Sequence, residues 1–177
     1  MDIFEAIAKR HSYRGTFGDQ NVPRVDLKGI VQAGLQAPSG KNEQTTTFVI
    51  VDDPDLVRQI GAMPSANKAI QQAQAFVACI LDLRPEAVYE GHDFQIEDCA
   101  AAVENMLLAI TALGYATVWL DGALRVDDIA ARVGRILGVP GNRSVRILLP
   151  LGAALQPGSQ KEKLPFDQRA WFNQYGG

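Results

Sequence analysis

Two cysteines, Cys79 and Cys99, and two histidines, His11 and His92, are the only thiol and imidazole groups in a sequence of 177 residues. They show no zinc-ligand spacing, so no metal site is expected. Both cysteines lie in apolar segments, which predicts reduced, buried thiols in a cytoplasmic protein rather than a disulfide. No apolar run approaches the roughly 20 residues of a membrane span. The opening Met1-Asp2-Ile3-Phe4-Glu5 has neither the basic nor the apolar region of a signal peptide, so no membrane association is expected. Positive charge is not in excess: the net charge is −3, which argues against a general nucleic-acid binder. G-x-G-x-x-G, Walker A and G-x-S-x-G are all missing, which argues against a Rossmann dinucleotide site, a P-loop and a serine-hydrolase elbow. Ser65-Ala66-Asn67-Lys68 matches S-x-x-K, but no S-D-N or K-T-G accompanies it, and it reads as chance.

What is present suits one domain, 1–177, with an ordinary core: 47% of residues are hydrophobic and 21% charged. Asp2 and Glu5 form a capping box for a helix to about residue 9, with an apolar stripe of Phe4, Ile7 and Ala8. Pro23 opens a second helix, carrying Leu27, Ile30, Val31 and Leu35 at helical spacing; Pro38 stops it. A strand is expected over 46–51, a short helix over 53–61, and another over 65–74. The apolar run 75–81 reads as a buried strand. Asp93 is placed to cap a long helix over 94–113, apolar around much of its circumference, with Gly114 at its end. A short strand over 116–120, a helix over 126–137 and a strand over 144–151 follow. Helices alternating with apolar strands suggest a layered α/β or α+β domain, and taken alone a flavodoxin-like doubly wound sheet. The tail from residue 153 is poor in aliphatic residues but holds Phe166, Trp171, Phe172 and Tyr175, an aromatic set expected to dock on something.

Two stretches carry chemistry. Arg10-His11-Ser12-Tyr13-Arg14 places two guanidiniums, an imidazole and a hydroxyl within five residues, a donor set that fits phosphate. Its structural alternative is basic residues favouring the end of a helix dipole. Ala37-Pro38-Ser39-Gly40-Lys41-Asn42-Glu43-Gln44 is a polar turn at the mouth of a buried strand, well placed to meet a ligand. The acidic pairs Glu97-Asp98 and Asp127-Asp128 read as solvated helix faces.

Those two stretches, then Leu113-Gly114-Tyr115-Ala116-Thr117-Val118-Trp119-Leu120 after the long helix and Leu149-Pro150-Leu151-Gly152, resemble the nitroreductase family of flavoenzymes in order and spacing along nearly the whole chain. The resemblance implies an α+β sandwich instead of the flavodoxin topology. It has a central mixed, mainly antiparallel sheet flanked by helices, and a long buried central helix. It further implies an intertwined homodimer with FMN at the interface and the tail, 153–177, docked on the partner. Carried over by motif, Arg10, His11, Ser12 and Arg14 hold phosphate and ribityl. Pro38, Ser39, Asn42 and Gln44 come from the other subunit, Asn67 and Lys68 approach the pyrimidine edge, and Lys161 and Lys163 reach the phosphate. Trp119, Leu120, Asp121 and Gly122 lie against the ring, with the Asp121 and Gly122 N–H groups near N5. No side chain of the protein is then needed as nucleophile, because the cofactor carries the chemistry. The activity implied is ping-pong hydride transfer from NADH or NADPH to a nitroaromatic, quinone or similar acceptor. Family relatives with dehalogenase, azoline oxidase or flavin-destructase chemistry, and a non-catalytic flavin-binding module, are the alternatives. The sequence departs from the family where Gln44 is followed by Thr45-Thr46 rather than Pro-Trp.

Overall fold

The computed structural model describes residues 1–63 and 68–176. Asp2 caps helix α1 (Ile3–Lys9): its carboxylate accepts the Glu5 N–H at 2.9 Å, and the Glu5 carboxylate accepts the Asp2 N–H at 3.2 Å. Helix α2 (Arg24–Leu35) follows Pro23. Strand β1 (Thr47–Val51) leads to Asp53, which caps α3 (Pro54–Gly61) by accepting from the N–H groups of Asp55 and Leu56. The short α4 (Lys68–Gln71) precedes β2 (Ala75–Asp82). The long α5 (Gln95–Ala112) closes with Gly114 at φ +83, a left-handed conformation that glycine adopts without penalty. Strand β3 (Ala116–Thr117), α6 (Ile129–Ile136) and β4 (Arg143–Gly152) complete the set. The helix expected over 126–137 starts three residues late. Asp127 and Asp128 take φ 51 and 56, and two left-handed residues in succession cannot begin a right-handed helix. The strand expected over 116–120 shrinks to two residues plus an isolated bridge between Leu120 and Leu148.

The sheet order is β1-β2-β4-β3, and every pairing is antiparallel. This overturns the doubly wound parallel sheet suggested by alternating elements. Between β1 and β2 the helices have only 8 and 4 residues, about 12 and 6 Å of rise. Returning along the five-residue β1 needs about 17 Å, and along the eight-residue β2 about 26 Å. Neither helix carries the chain back to the end where β1 began, so β2 returns antiparallel. Helix α5, with 18 residues and about 27 Å, is long enough. Accordingly β2 and β3 run the same way, with β4 inserted between them in the opposite direction.

Strand β2 is covered on both faces. Phe76, Ala78 and Ile80 join one core with Ile60, Ile70, Ile129 and Val133 from the α3, α4 and α6 side. Ala75, Val77, Cys79 and Leu81 join the other with Leu27, Ile30, Val103, Met106 and Ile110 from α2 and α5. Helices α2 and α5 approach closely at Gly34, where a Cβ would lie 2.9 Å from Met106 Cγ. Cys79 pairs with Ile147 but Ile80 with Val145, so Arg146 is an extra residue in β4. Such a bulge re-aims a side chain, and Arg146 turns toward Asp121. Cys79 and Cys99 are buried free thiols.

The apolar stripe expected on α1 exists but faces outward: Phe4 is 79% exposed and Ile7 48%, and only Ala6 is buried. The start of the tail docks on its own chain. Gly18 N–H bonds Ala153 O at 2.9 Å, and Leu155 N–H bonds Thr16 O at 3.1 Å. Beyond it, Leu164, Phe166, Phe172 and Tyr175 are exposed, with Phe166 against Phe172 and Trp171 against Tyr175.

Tyr115 ties the approach to β3 to α2. Its hydroxyl donates to Asp26 Oδ2 at 2.6 Å. That bond first, and burial second, push the phenol up to about 12 from 10.0. A raised phenol pKa contributes stability that is complete below pH 10 and lost as pH climbs to about 12. Tyr115→Phe is expected to lower unfolding free energy at pH 7 by about 1–2 kcal/mol. It should also flatten the alkaline loss of stability in urea titrations taken across that pH range.

Candidate functional site

The basic loop after α1 is held from three sides. Tyr13, 4% exposed, donates its N–H to Thr117 O at 2.8 Å and its hydroxyl to Thr16 O at 2.6 Å. The Arg10 guanidinium lies 3.6 Å from Glu104 of α5. From the tail, the Gln160 amide donates to Arg10 O at 2.9 Å and to Ile7 O at 3.1 Å. His11 is turned toward this docking: Nδ1 lies 3.0 Å from Lys9 O, and Nε2 is buried without a partner beside Gly158. Its ring therefore packs the tail. Ser12 and Arg14 are exposed. Among the described residues no carboxylate pairs with Arg14, Lys161 or Lys163. The loop and the first turn of the tail thus gather cations that lack a strong internal anion.

The second group is the turn 38–45. It contains left-handed backbone, with Lys41 at φ 47 and Asn42 at φ 60 in its short 3₁₀ segment (Gly40–Asn42) and Gln44 at φ 52 just beyond it. A non-glycine residue there costs about 1 kcal/mol or more, so the shape persists only if its surroundings impose it. Within the turn, Ser39 Oγ accepts the Gln44 N–H at 3.0 Å, and the Gln44 amide donates to Asn42 O at 3.3 Å. From α5, Asp98 accepts the Gly40 N–H at 2.9 Å and the Thr45 hydroxyl at 3.0 Å. Gly40 lies against the half-buried Phe94 ring, and the Lys41 ammonium lies 4.9 Å from the centroid of the exposed Tyr89 ring. Pro38, Asn42 and Gln44 are exposed, and Ser39 is half-buried.

The third group follows β3. The Trp119 side chain packs against the α2–α5 core, and Leu120 is buried in the opposite core. The Asp121 carboxylate accepts from Arg125 Nε and Nη2 at 2.6 and 2.8 Å and from Arg146 Nη1 at 2.5 Å. The Arg125 hydrogen bond, reinforced by the charge of Arg146, holds it below the usual carboxylate range. Gly122 is exposed, and among the described residues no loop or side-chain acceptor takes the N–H of Asp121 or Gly122.

Not all the residues singled out from sequence come together within one chain. Asn67, like Ser65, lies outside the described residues; Lys68 is exposed at the start of α4. No hydrogen bond or ion pair joins the loop 10–14 to the turn 38–45 among the described residues. Their anchors on α5, Glu104 and Asp98, are six positions apart, about 9 Å along the axis. The reading of Asp98 as part of a solvated acidic face is overturned: it is 7% exposed. Its spacing with Gln95, Ala102 and Met106, all buried, is the helical signal that marks it as inward-facing. Thr45, Arg146 and Gln160 also escaped the sequence reading. Arg146 is placed by a bulge, and Gln160 bonds residues some 150 positions away.

A model of the Nitroreductase family matches residues 7–82 and 65–153. An Archaeoglobus fulgidus protein provisionally named NADH dehydrogenase/NAD(P)H nitroreductase is 29% identical over 168 residues, 95% of this chain and 92% of its own. A Staphylococcus haemolyticus protein named NADPH-dependent oxidoreductase is 28% identical, covering 98% of this chain and 74% of its own. The solved structure of an FMN-dependent nitroreductase from Clostridium difficile R20291 superposes with a TM-score of 0.79 at 23% identity, covering 97% of this chain and 99% of that one.

A lowered carboxylate pKa contributes stability that is complete above 3.8 and lost as pH falls through the depressed folded value. Asp121→Asn should therefore cost about 1–2 kcal/mol at pH 7. The gap from the unsubstituted protein should narrow as pH drops below 3.8, measured by denaturant unfolding.

Proposed function

The chain belongs to the nitroreductase family and is an oxidoreductase; from that premise we propose that it is an FMN-dependent, homodimeric enzyme using NADH or NADPH to reduce a nitroaromatic, quinone or similar small acceptor. The observation that carries the cofactor assignment is the docking of Gln160 on Arg10. It brings the start of the Lys161–Lys163 segment beside a loop whose Arg14 is exposed and, among the described residues, without an acidic partner. A phosphate carries close to two negative charges and wants several charge-assisted donors. Among the described residues no carboxylate engages Arg14 or the two lysines, Ser12 is exposed, and the Arg10 guanidinium makes only a 3.6 Å contact with Glu104, so all can turn to a phosphate.

The remaining residues fit the rest of FMN. The N–H groups of Asp121 and Gly122, which no loop or side-chain acceptor takes among the described residues, suit the ring nitrogen N5, and the ion pairs of Asp121 with Arg125 and Arg146 hold that turn. Side chains of Trp119 and Leu120 serve as packing behind it. Ser39 retains its hydroxyl proton as a donor while its oxygen accepts from Gln44, and Asn42 is exposed beside it. Lys68, and Asn67 beside it in sequence, are assigned to the pyrimidine edge. When bound, FMN supplies the hydride acceptor N5 and returns the electrons to a second substrate in a separate half-reaction. The chain's part is to hold the phosphate, orient the ring and shield it.

A shared site accounts for the separation of the two groups on α5: the loop 10–14 of one subunit meets the turn 38–45 of the other. Exposed apolar side chains support an interface. Met1, Ile3, Phe4 and Ile7 on and before α1, and Leu164, Phe166, Phe172 and Tyr175 in the tail, are large apolar side chains left in solvent, and exposed apolar groupings of this kind mark interaction surfaces.

The purified protein should be yellow, release FMN on denaturation, and lose its visible absorbance anaerobically on addition of NADH or NADPH. Bound FMN that neither nicotinamide bleaches would instead indicate a flavin-binding module without turnover. Arg14→Ala should weaken FMN binding by about 10-fold or more with the unfolding midpoint of the apoprotein unchanged, read by fluorescence titration. Unaltered affinity would remove Arg14 from the phosphate site.

A further inference from the structure

The turn 38–45 is exposed on its outer side and strained within, and one buried carboxylate grips it from behind. We propose that Asp98 is a positioning residue for the cofactor site. Its two oxygens bridge Gly40 and Thr45 and thereby fix the arc on which Ser39, Asn42 and Gln44 meet the ligand. This rests on the reading that the turn contacts FMN.

The geometry is a two-point hold. Oδ1 takes the Gly40 N–H at 2.9 Å and Oδ2 the Thr45 hydroxyl at 3.0 Å, so the two bonds enclose residues 41–44. Those four residues include all three left-handed non-glycine residues of the segment. The bonds inside the turn run from the Gln44 N–H to Ser39 Oγ, from the Gln44 amide to Asn42 O, from the Asn42 N–H to Ser39 O and from the Glu43 N–H to Gly40 O, and none of them reaches the body of the protein. Gly40 is brought to the carboxylate by its packing on Phe94, where a Cβ would lie 2.6 Å from Cδ2. Asp98 therefore converts the position of α5 into the position of the turn.

Among the described residues no side chain outside the turn bonds to this carboxylate. Among the described residues no lysine, arginine or histidine pairs with it, and it is 7% exposed. A buried carboxylate without a cation is unfavourable unless its oxygens are hydrogen-bonded, and here each accepts a donor from the turn. Its place in the first turn of α5 offers some compensation from the helix dipole. With both oxygens directed inside the protein, Asp98 acts through the turn and does not touch the ligand. The hold, rather than the charge, is what the site requires. An asparagine presents its carbonyl to the Gly40 N–H and its amide to the Thr45 oxygen, whereas an alanine presents neither.

The test is FMN titration of apoprotein prepared from the dimeric holoenzyme, followed by flavin fluorescence, with urea unfolding of each variant measured alongside. Asp98→Ala is expected to weaken FMN binding about 10-fold or more, and Thr45→Val about 3- to 10-fold. Asp98→Asn should stay within about 3-fold of the unsubstituted protein. Should Asp98→Ala fail to fold, Thr45→Val against Asp98→Asn carries the comparison, since both leave the helix and its packing in place. A role confined to stability would shift the urea midpoints and leave FMN affinity alone. Wild-type affinity in both Asp98→Ala and Thr45→Val, or a loss in Asp98→Asn equal to that in Asp98→Ala, overturns the proposal. An unsubstituted protein that binds no FMN overturns the cofactor reading together with it, whereas flavin binding that survives loss of the hold overturns the role of Asp98 alone.

Discussion

Strand β2 meets no solvent on either face, and most of the architecture follows from that constraint. Seven of its eight residues are buried, from Ala75 to Leu81. Each large aliphatic or aromatic side chain removed from water there contributes about 1.5–3 kcal/mol, but only if a layer covers each side. Helices α3, α4 and α6 supply one layer, and α2 with α5 the other. Because β4 is β2's longest partner, it is buried along with it. The Arg146 bulge is the one place where that burial is interrupted to send a charged side chain toward a loop.

Helix α5 links this packing to function. It lies along the buried sheet, so its positions are set by the core through Cys99, Val103, Met106 and Ile110. Its other positions then serve as fixed points for segments that cannot hold themselves. Asp98 grips the turn 38–45, Glu104 faces Arg10, and Gln95 exchanges two hydrogen bonds with Asp82 at the end of β2. The segments proposed to bind, loops in sequence, are thereby referred to one rigid element, the arrangement that the proposed cofactor site requires.

How much was legible in the sequence follows from the range of each interaction. The α1 capping box and the Gly114 stop depend on residues within four positions, and both were readable; Asp93, expected to cap α5, instead precedes Phe94, which holds the cap position without a side-chain bond. Alternation of helices and strands alone misled on strand direction, because it does not say whether a connection is long enough to return the chain to its starting end; the mainly antiparallel sheet that the resemblance implied is the one found. The late start of α6 depended on backbone conformation at Asp127 and Asp128 that composition leaves open. Arg10–Arg14 and Pro38–Gln44 stood out as candidates from their donor chemistry. The residues that shape them, Asp98 and Gln160, were not, because their partners lie 58 and 150 positions away.

By itself the sequence determined the two layers of amphipathic and apolar elements, the helix ends and the polar stretches available to a ligand, since local hydrogen bonds and hydrophobic periodicity decide these. The tertiary structure alone decided which polar groups are free. His11 and Asp98 both look available as residue types. Packing turns the His11 ring toward the tail and closes Asp98 behind the turn, whereas Arg14 stays open to solvent. The physical reason is that burial and pairing depend on the whole set of neighbours around a group, and folding assembles those neighbours from distant parts of the chain.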